Sequence, residues 1–209
     1  MPEKAVSMSI CMDNVSAAVV THPSRFEAAV DLARKLPASV ILDEGYGLTR
    51  NHLRAWRCVS VGKFGLVVQD DIAVDYDLLR KQIATYMQDP DESIATFYSV
   101  YAADLVALNS GASQRRFRGA QFRGELAVMM PQHMISEYFV WAKDNWKELD
   151  PKLKWHDFLV AKFLQATNRD VVTMLPNSVQ HRNREFKSTV GHPAAPFGKE
   201  RVSATYHLR

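Results

Sequence analysis

Cysteine is scarce in this 209-residue chain: there are two, Cys11 and Cys58, far apart in sequence. That excludes a disulfide framework and any cysteine-based metal spacing. A reducing, intracellular compartment is the simplest expectation, with both thiols acting as small apolar fillers. Long apolar runs are missing too. No stretch approaches the ~20 residues needed to span a bilayer, so no membrane partner is expected. Residues 1–13 carry both charge signs and no long apolar run, which does not read as a signal peptide. A cytoplasmic location is expected on both counts. Charge of one sign is also in short supply. The 26 Lys and Arg against 23 Asp and Glu leave a net +3, too little by itself to indicate nucleic-acid binding. Internal repeats are absent, and no shift in composition marks a domain boundary.

What is present is the composition of one globular domain, with 47% apolar and 23% charged residues and length enough for a sizeable core. The β-branched run over 15–20 predicts a first strand. A loop over 21–24 follows, and Ser24 is placed to cap a helix over 25–36. Phe26, Ala29, Val30, Ala33 and Leu36 share one face of that helix, and Pro37 stops it. Residues 39–42 predict a second strand, closed by the turn 43–47. Strand, helix and strand at this spacing make a βαβ unit with parallel strands. Helices are expected over 51–60 and 76–87, and strands over 64–68, 94–101 and 125–130. A long helix opens at Pro131 and runs to about residue 147. A helix over 155–166 and a last strand over 171–175 complete the pattern. Residues 105–118 show no clear period and read as loop. From 176 onward Pro, Gly and charge dominate, predicting an extended tail. The fold class is α/β: one three-layer, Rossmann-like domain with a mostly parallel central sheet over 1–175, and a tail over 176–209 packed on it.

The run Gln69-Asp70-Asp71 ends a strand of the type Phe-Gly-Leu-Val-Val. In a parallel α/β sheet, ligands bind outside the carboxyl ends of the strands. Carboxylates placed there suit Mg²⁺ or Mn²⁺, hard cations that can bridge to phosphates. The same pair can equally form a solvated strand end or cap the next helix. Alone, it decides nothing.

Its context adds a resemblance. The segments Asn51-His-Leu-Arg-Ala-Trp-Arg57, Phe64-Gly-Leu-Val-Val-Gln-Asp-Asp71, Trp155-His-Asp-Phe158 and Leu175-Pro-Asn-Ser-Val-Gln-His-Arg182 occur in this order. Together they resemble GT-A glycosyltransferases, most nearly small phage-encoded or bacterial ones with a Gln-Asp-Asp version of the Asp-X-Asp motif. The resemblance implies a GT-A domain that moves a sugar from a nucleotide-sugar donor to an acceptor hydroxyl with the help of Mn²⁺ or Mg²⁺. It implies Asp71 as metal ligand, with Asp70 on the ribose or, through water, on the metal. Thr21 and His22 would lie beside the nucleobase, and Asp43 on the base or ribose. Asn51 and Arg54 would flank the nucleotide, the Arg54 guanidinium being suited to a diphosphate. His181 would be a second metal ligand, and imidazole suits Mn²⁺ better than Mg²⁺. Arg182 or Lys187 would neutralise the leaving diphosphate.

Where many such relatives carry two acids, this chain has His156-Asp157. Asp157 is the expected general base on the acceptor hydroxyl, which implies inversion. Phage-type relatives suggest three acceptors: hydroxymethylated DNA bases, virion proteins and saccharides. A phage origin would make the location host cytoplasm. The cluster Arg115, Arg116, Arg118 and Arg123, interleaved with Phe117 and Phe122, tilts slightly toward DNA.

Plainer readings stand beside these. Arg54 can be an exposed helix charge, Asp157 an acid answering a helix dipole, His181 a structural residue and the arginine cluster a solvated face. Tyr138, Phe139, Trp141 and Trp146 read as packing, and so does Trp155, although it could also stack on a sugar. A rival from another class is a non-catalytic nucleotide- or nucleic-acid-binding module on the same fold.

Overall fold

A computed structural model describes residues 13–123, 126–145, 156–182 and 205–206, and no His156 or Asp157 side chain. The chain opens with β1 (Val15–Thr21), α1 (Phe26–Lys35), β2 (Ala38–Leu42), α2 (Leu48–Cys58) and β3 (Phe64–Gln69). It continues through β4 (Ile72–Val74), α3 (Tyr76–Gln88), β5 (Ser93–Thr96), α4 (Ala102–Asn109) and β6 (Gln114–Arg118). It closes with β7 (Ala127–Pro131), α5 (Gln132–Asn145), α6 (His156–Ala166), β8 (Asp170–Met174) and β9 (Val179–His181).

Seven strands form one sheet in the order β2-β1-β3-β7-β5-β8-β6. β1, β2 and β3 are mutually parallel. β7 runs against both β3 and β5, so β5 and its parallel neighbour β8 share the direction of β1. The edge strand β6 is antiparallel. The sheet is therefore mostly parallel, as expected, and both its faces are covered, as a parallel sheet requires. Alternate residues explain how. Ala17, Val19, Leu66, Val68, Ala127 and Met129 pack with Ala29, Leu32 and Ala33 of α1 and Leu79 and Ile83 of α3. Ala18, Val20, Val67, Val128 and Met130 face Trp56 of α2, Ile135 and Tyr138 of α5, and Phe163 and Leu164 of α6. Trp56, Tyr138 and Phe163 are among the largest fully buried side chains, and each such burial contributes about 2–3 kcal/mol.

Several expectations are corrected. Ser24 does not cap α1. A 3₁₀ turn, Pro23–Arg25, intervenes, and the His22 ring accepts the Ser24 N–H at 3.3 Å. Proline suits the first position of such a turn, so the capping role moves one turn back. Residues 105–118 are not loop but hold most of α4 and all of β6. Their period is hidden because Leu105 and Val106 are exposed on α4, while β6 is an edge strand. Charged side chains are usual on edges, and only Phe117 of β6 is buried. The strand expected over 94–101 stops at Thr96, whose hydroxyl donates to the Tyr98 carbonyl at 2.8 Å and turns the chain. Cys58 is an exposed free thiol rather than a buried filler; Cys11 lies outside the described residues. Among the described residues, no helix is long and apolar enough to cross a membrane.

Candidate functional site

The register of the parallel strands builds the site. Val20 pairs with Gln69 and Thr21 with Leu42. Three strand ends therefore emerge side by side at the carboxyl edge of the sheet: Thr21, the last residue of β1, with His22 after it; Asp43 after β2; and Asp70 and Asp71 after β3. The sequence continues from Asp71 into β4, which pairs antiparallel with β9 in a small second sheet, Ile72 facing His181. Arg182 N–H then donates to the Asp71 carbonyl at 2.8 Å. This pairing carries His181 to the acids, and its Nε2 lies 3.5 Å from Asp71 Oδ2.

Asp70 and Asp71 are 2% and 8% exposed. Buried charges need partners, and Asp70 has several. Thr21 Oγ1 donates to its Oδ2 at 2.6 Å, and the His22 N–H donates to the same oxygen at 3.3 Å. Arg25 approaches through Nε to Oδ2 and Nη2 to Oδ1, both at 2.9 Å. Burial nonetheless pushes the Asp70 carboxyl above its usual value. Arg25 and Thr21 pull it back, the neighbouring Asp71 charge adds to the rise, and the His22 N–H opposes it. Arg25 Nη1 also reaches Asp71 Oδ2 at 3.0 Å, and the other oxygen of each acid, Asp70 Oδ1 and Asp71 Oδ1, is buried with no hydrogen bond among the described residues. Arg25 escaped sequence reasoning because it read as the first residue of an amphipathic helix. The usable signal was an arginine just beyond the first parallel strand, at the edge where the acids of the third strand also emerge.

The remaining expected residues divide. Asp43 Oδ1 accepts the N–H groups of Gly45, Tyr46 and Gly47 at 3.0, 3.1 and 3.3 Å. It thereby shapes the loop between β2 and α2, where Gly45 and Gly47 adopt positive φ. Asn51 is buried, and its amide donates to the carbonyls of Ile41 at 3.1 Å and Thr21 at 3.4 Å, tying the ends of β1 and β2. Arg54 donates to the Leu42 carbonyl at 3.0 Å, pairs with Glu44 at 3.3 Å and lies over the Tyr46 ring. Each of the three braces the rim of the site and is engaged with the protein itself. Lys187 and the Asp157 side chain lie outside the described residues. The main chain of Asp157, however, opens α6, which returns through a short turn into β8. Eleven helical residues rise ~16 Å, about the length of a five-residue strand. The first turn of α6 therefore stands at the same edge of the sheet as Asp70 and Asp71.

The expected metal ligands can be tested against these contacts. Among the described residues, no group of three or more His, Cys, Asp or Glu side chains is arranged to hold an ion. Asp71 and His181 are the pair that could contribute to holding one, through a carboxylate and an imidazole 3.5 Å apart; a Mg²⁺ site with so few protein ligands takes its other positions from water and phosphate oxygens.

The basic cluster is largely neutralised internally. Arg115 pairs with Asp104, Arg116 with Asp91 and Arg118 with Asp170. Arg123 lies 4.7 Å from the Phe158 ring centroid.

No protein-family model matches this chain, and no curated protein matches it significantly.

Proposed function

We propose that this α/β domain is a GT-A type glycosyltransferase, moving a sugar from a nucleotide-sugar donor to an acceptor hydroxyl. One observation carries the reading: two buried acids end a central parallel strand, and the β4–β9 pairing brings a histidine to the second of them. Asp71 and His181 would hold Mn²⁺ or Mg²⁺, which when bound neutralises charge on the diphosphate leaving group. Thr21 and His22, at the end of β1, would border the nucleobase. Arg182, whose main chain is fixed to Asp71, and Lys187 would add positive charge near the diphosphate. Asp157 at the start of α6 would take the proton from the attacking hydroxyl, giving inversion. With three arginines of the basic cluster paired to acids, DNA holds no advantage over a protein or saccharide as acceptor.

Thermal unfolding with a panel of nucleoside diphosphates, with and without Mn²⁺, tests the reading. One nucleotide should stabilise the protein only with metal, by about 2.7 kcal/mol at a hundredfold excess over Kd. Asp71→Ala should abolish the effect. Stabilisation that ignores metal and survives Asp71→Ala would sink the mechanism. Metal-dependent binding without turnover of the matching sugar nucleotide would favour the non-catalytic module.

A further inference from the structure

Arg25 is the side chain that joins the two acids of the site. Its side chain is 12% exposed, and it spans both acids, with Nε and Nη2 on Asp70 and Nη1 on Asp71. The two acids are not held alike. Asp70 also receives Thr21 Oγ1 and the His22 N–H, and its two contacts with Arg25 set the plane of the guanidinium. Asp71 meets Arg25 through a single nitrogen, and its Oδ1 is buried without a hydrogen-bond partner among the described residues. Asp70 Oδ1 also lacks a hydrogen bond among the described residues, although Arg25 Nη2 stands 2.9 Å from it, and His181 Nε2 approaches Asp71 Oδ2 at 3.5 Å; one fixed guanidinium thus faces two carboxylates, and its weaker hold is on Asp71.

Building on the glycosyltransferase reading above, we propose that Arg25 is the resident cation of this site and a diphosphate ligand. Without a divalent ion, Nη1 holds Asp71. An ion held by Asp71 would leave Nη1 available to an oxygen of the nucleotide diphosphate, while Nε and Nη2 would stay on Asp70. Asp70 is then a positioning residue that aims Arg25, and Asp71 is the one acid exchanged between guanidinium and metal. The physical reason is competition. A divalent ion on Asp71 would stand within a few ångströms of a guanidinium already bonded there, and two cations at that range repel in a partly buried site. A diphosphate removes the conflict by accepting both. Metal and diphosphate therefore assist one another's binding reciprocally.

The test is Mn²⁺ binding alone, followed by loss of the free-ion electron paramagnetic resonance signal, in the full chain. Arg25→Gln removes a charge-assisted competitor for Asp71 and should bind Mn²⁺ about tenfold more tightly than the wild type. Equal or weaker binding overturns the inference. If Arg25→Gln does not fold, Arg25→Lys serves. A single ammonium cannot span both acids, so a smaller gain of about threefold is expected, and no gain again overturns it. Asp71→Asn distinguishes a failure of the Arg25 role from a failure of metal binding at Asp71. Equal Mn²⁺ binding by wild type and Arg25→Gln, lost in Asp71→Asn, removes Arg25 from this role and leaves the metal reading standing. No binding by either protein, or binding that persists in Asp71→Asn, removes the metal reading and the inference with it.

Discussion

Thr21→Val isolates the interaction that organises the acid pair. Valine matches threonine in shape, so the buried packing at the end of β1 is kept and only the hydroxyl is lost. Its oxygen lies 2.6 Å from Asp70 Oδ2 and 3.1 Å from the His22 carbonyl oxygen, so the carboxylate is the better acceptor. Thr21 is 2% exposed, and water cannot readily replace it. A hydrogen bond to a charged group contributes about 1.5–3 kcal/mol, and about 2 kcal/mol is expected here. In a domain of this size that lowers Tm by about 4–8 °C.

The pH dependence sharpens the test. Burial has already raised Asp70, so the folded state holds this proton more tightly than the unfolded state. The stability contributed in this way is fully present below the ordinary carboxylate range near pH 4. It is lost as pH rises through the folded-state value. Removing the Thr21 hydroxyl raises Asp70 further and extends that loss upward. The gap between variant and wild type should therefore be small near pH 4 and reach its full size once Asp70 is ionised. Urea unfolding of both proteins across that range measures the gap. A gap below about 0.5 kcal/mol, or one equally large at both ends, would refute the assignment of Thr21 to Asp70.

Gly65→Ala should cost about 1–3 kcal/mol through overpacking. The new methyl carbon would lie 2.5 Å from Val59 and 2.6 Å from Ile135, beneath α2 and α5; an unchanged Tm would show that those helices yield freely. Asp104→Ala should cost about 3 kcal/mol, because it strips Arg115 and the Ser99 hydroxyl of a fully buried partner. Adding Arg115→Leu should recover part of that in chemical denaturation, and no recovery would count against the ion pair as the cause.

The near-continuous apolar runs over 15–20 and 64–68 were enough to announce buried strands, because a strand covered on both faces must be apolar nearly throughout. The break at Pro37 and the period of 25–36 announced the first crossover. The acids after the third strand were legible as a candidate site for the same local reason: they end an apolar run at the edge where such sheets bind ligands. Local pattern also has limits. α4 and β6 lie at the sheet margin, where burial imposes no period, and they read as loop. Asp43, Asn51 and Arg54 carry side chains suited to a nucleotide, yet each spends them on backbone at the ends of β1 and β2 or in the loop beyond. Only the folded ladder shows those carbonyls and N–H groups to be within reach.

The Gln69-Asp70-Asp71 run and its setting were thus determined by sequence alone, since strand type and strand end depend on neighbours along the chain. The partners of those acids were decided by tertiary structure. The register of β1 with β3 sets Thr21 against Asp70, the β4–β9 pairing brings His181 to Asp71, and the turn after β1 swings Arg25 across both. These contacts join residues far apart in sequence. Each follows from strand register and close packing, which no local spacing of residue types records.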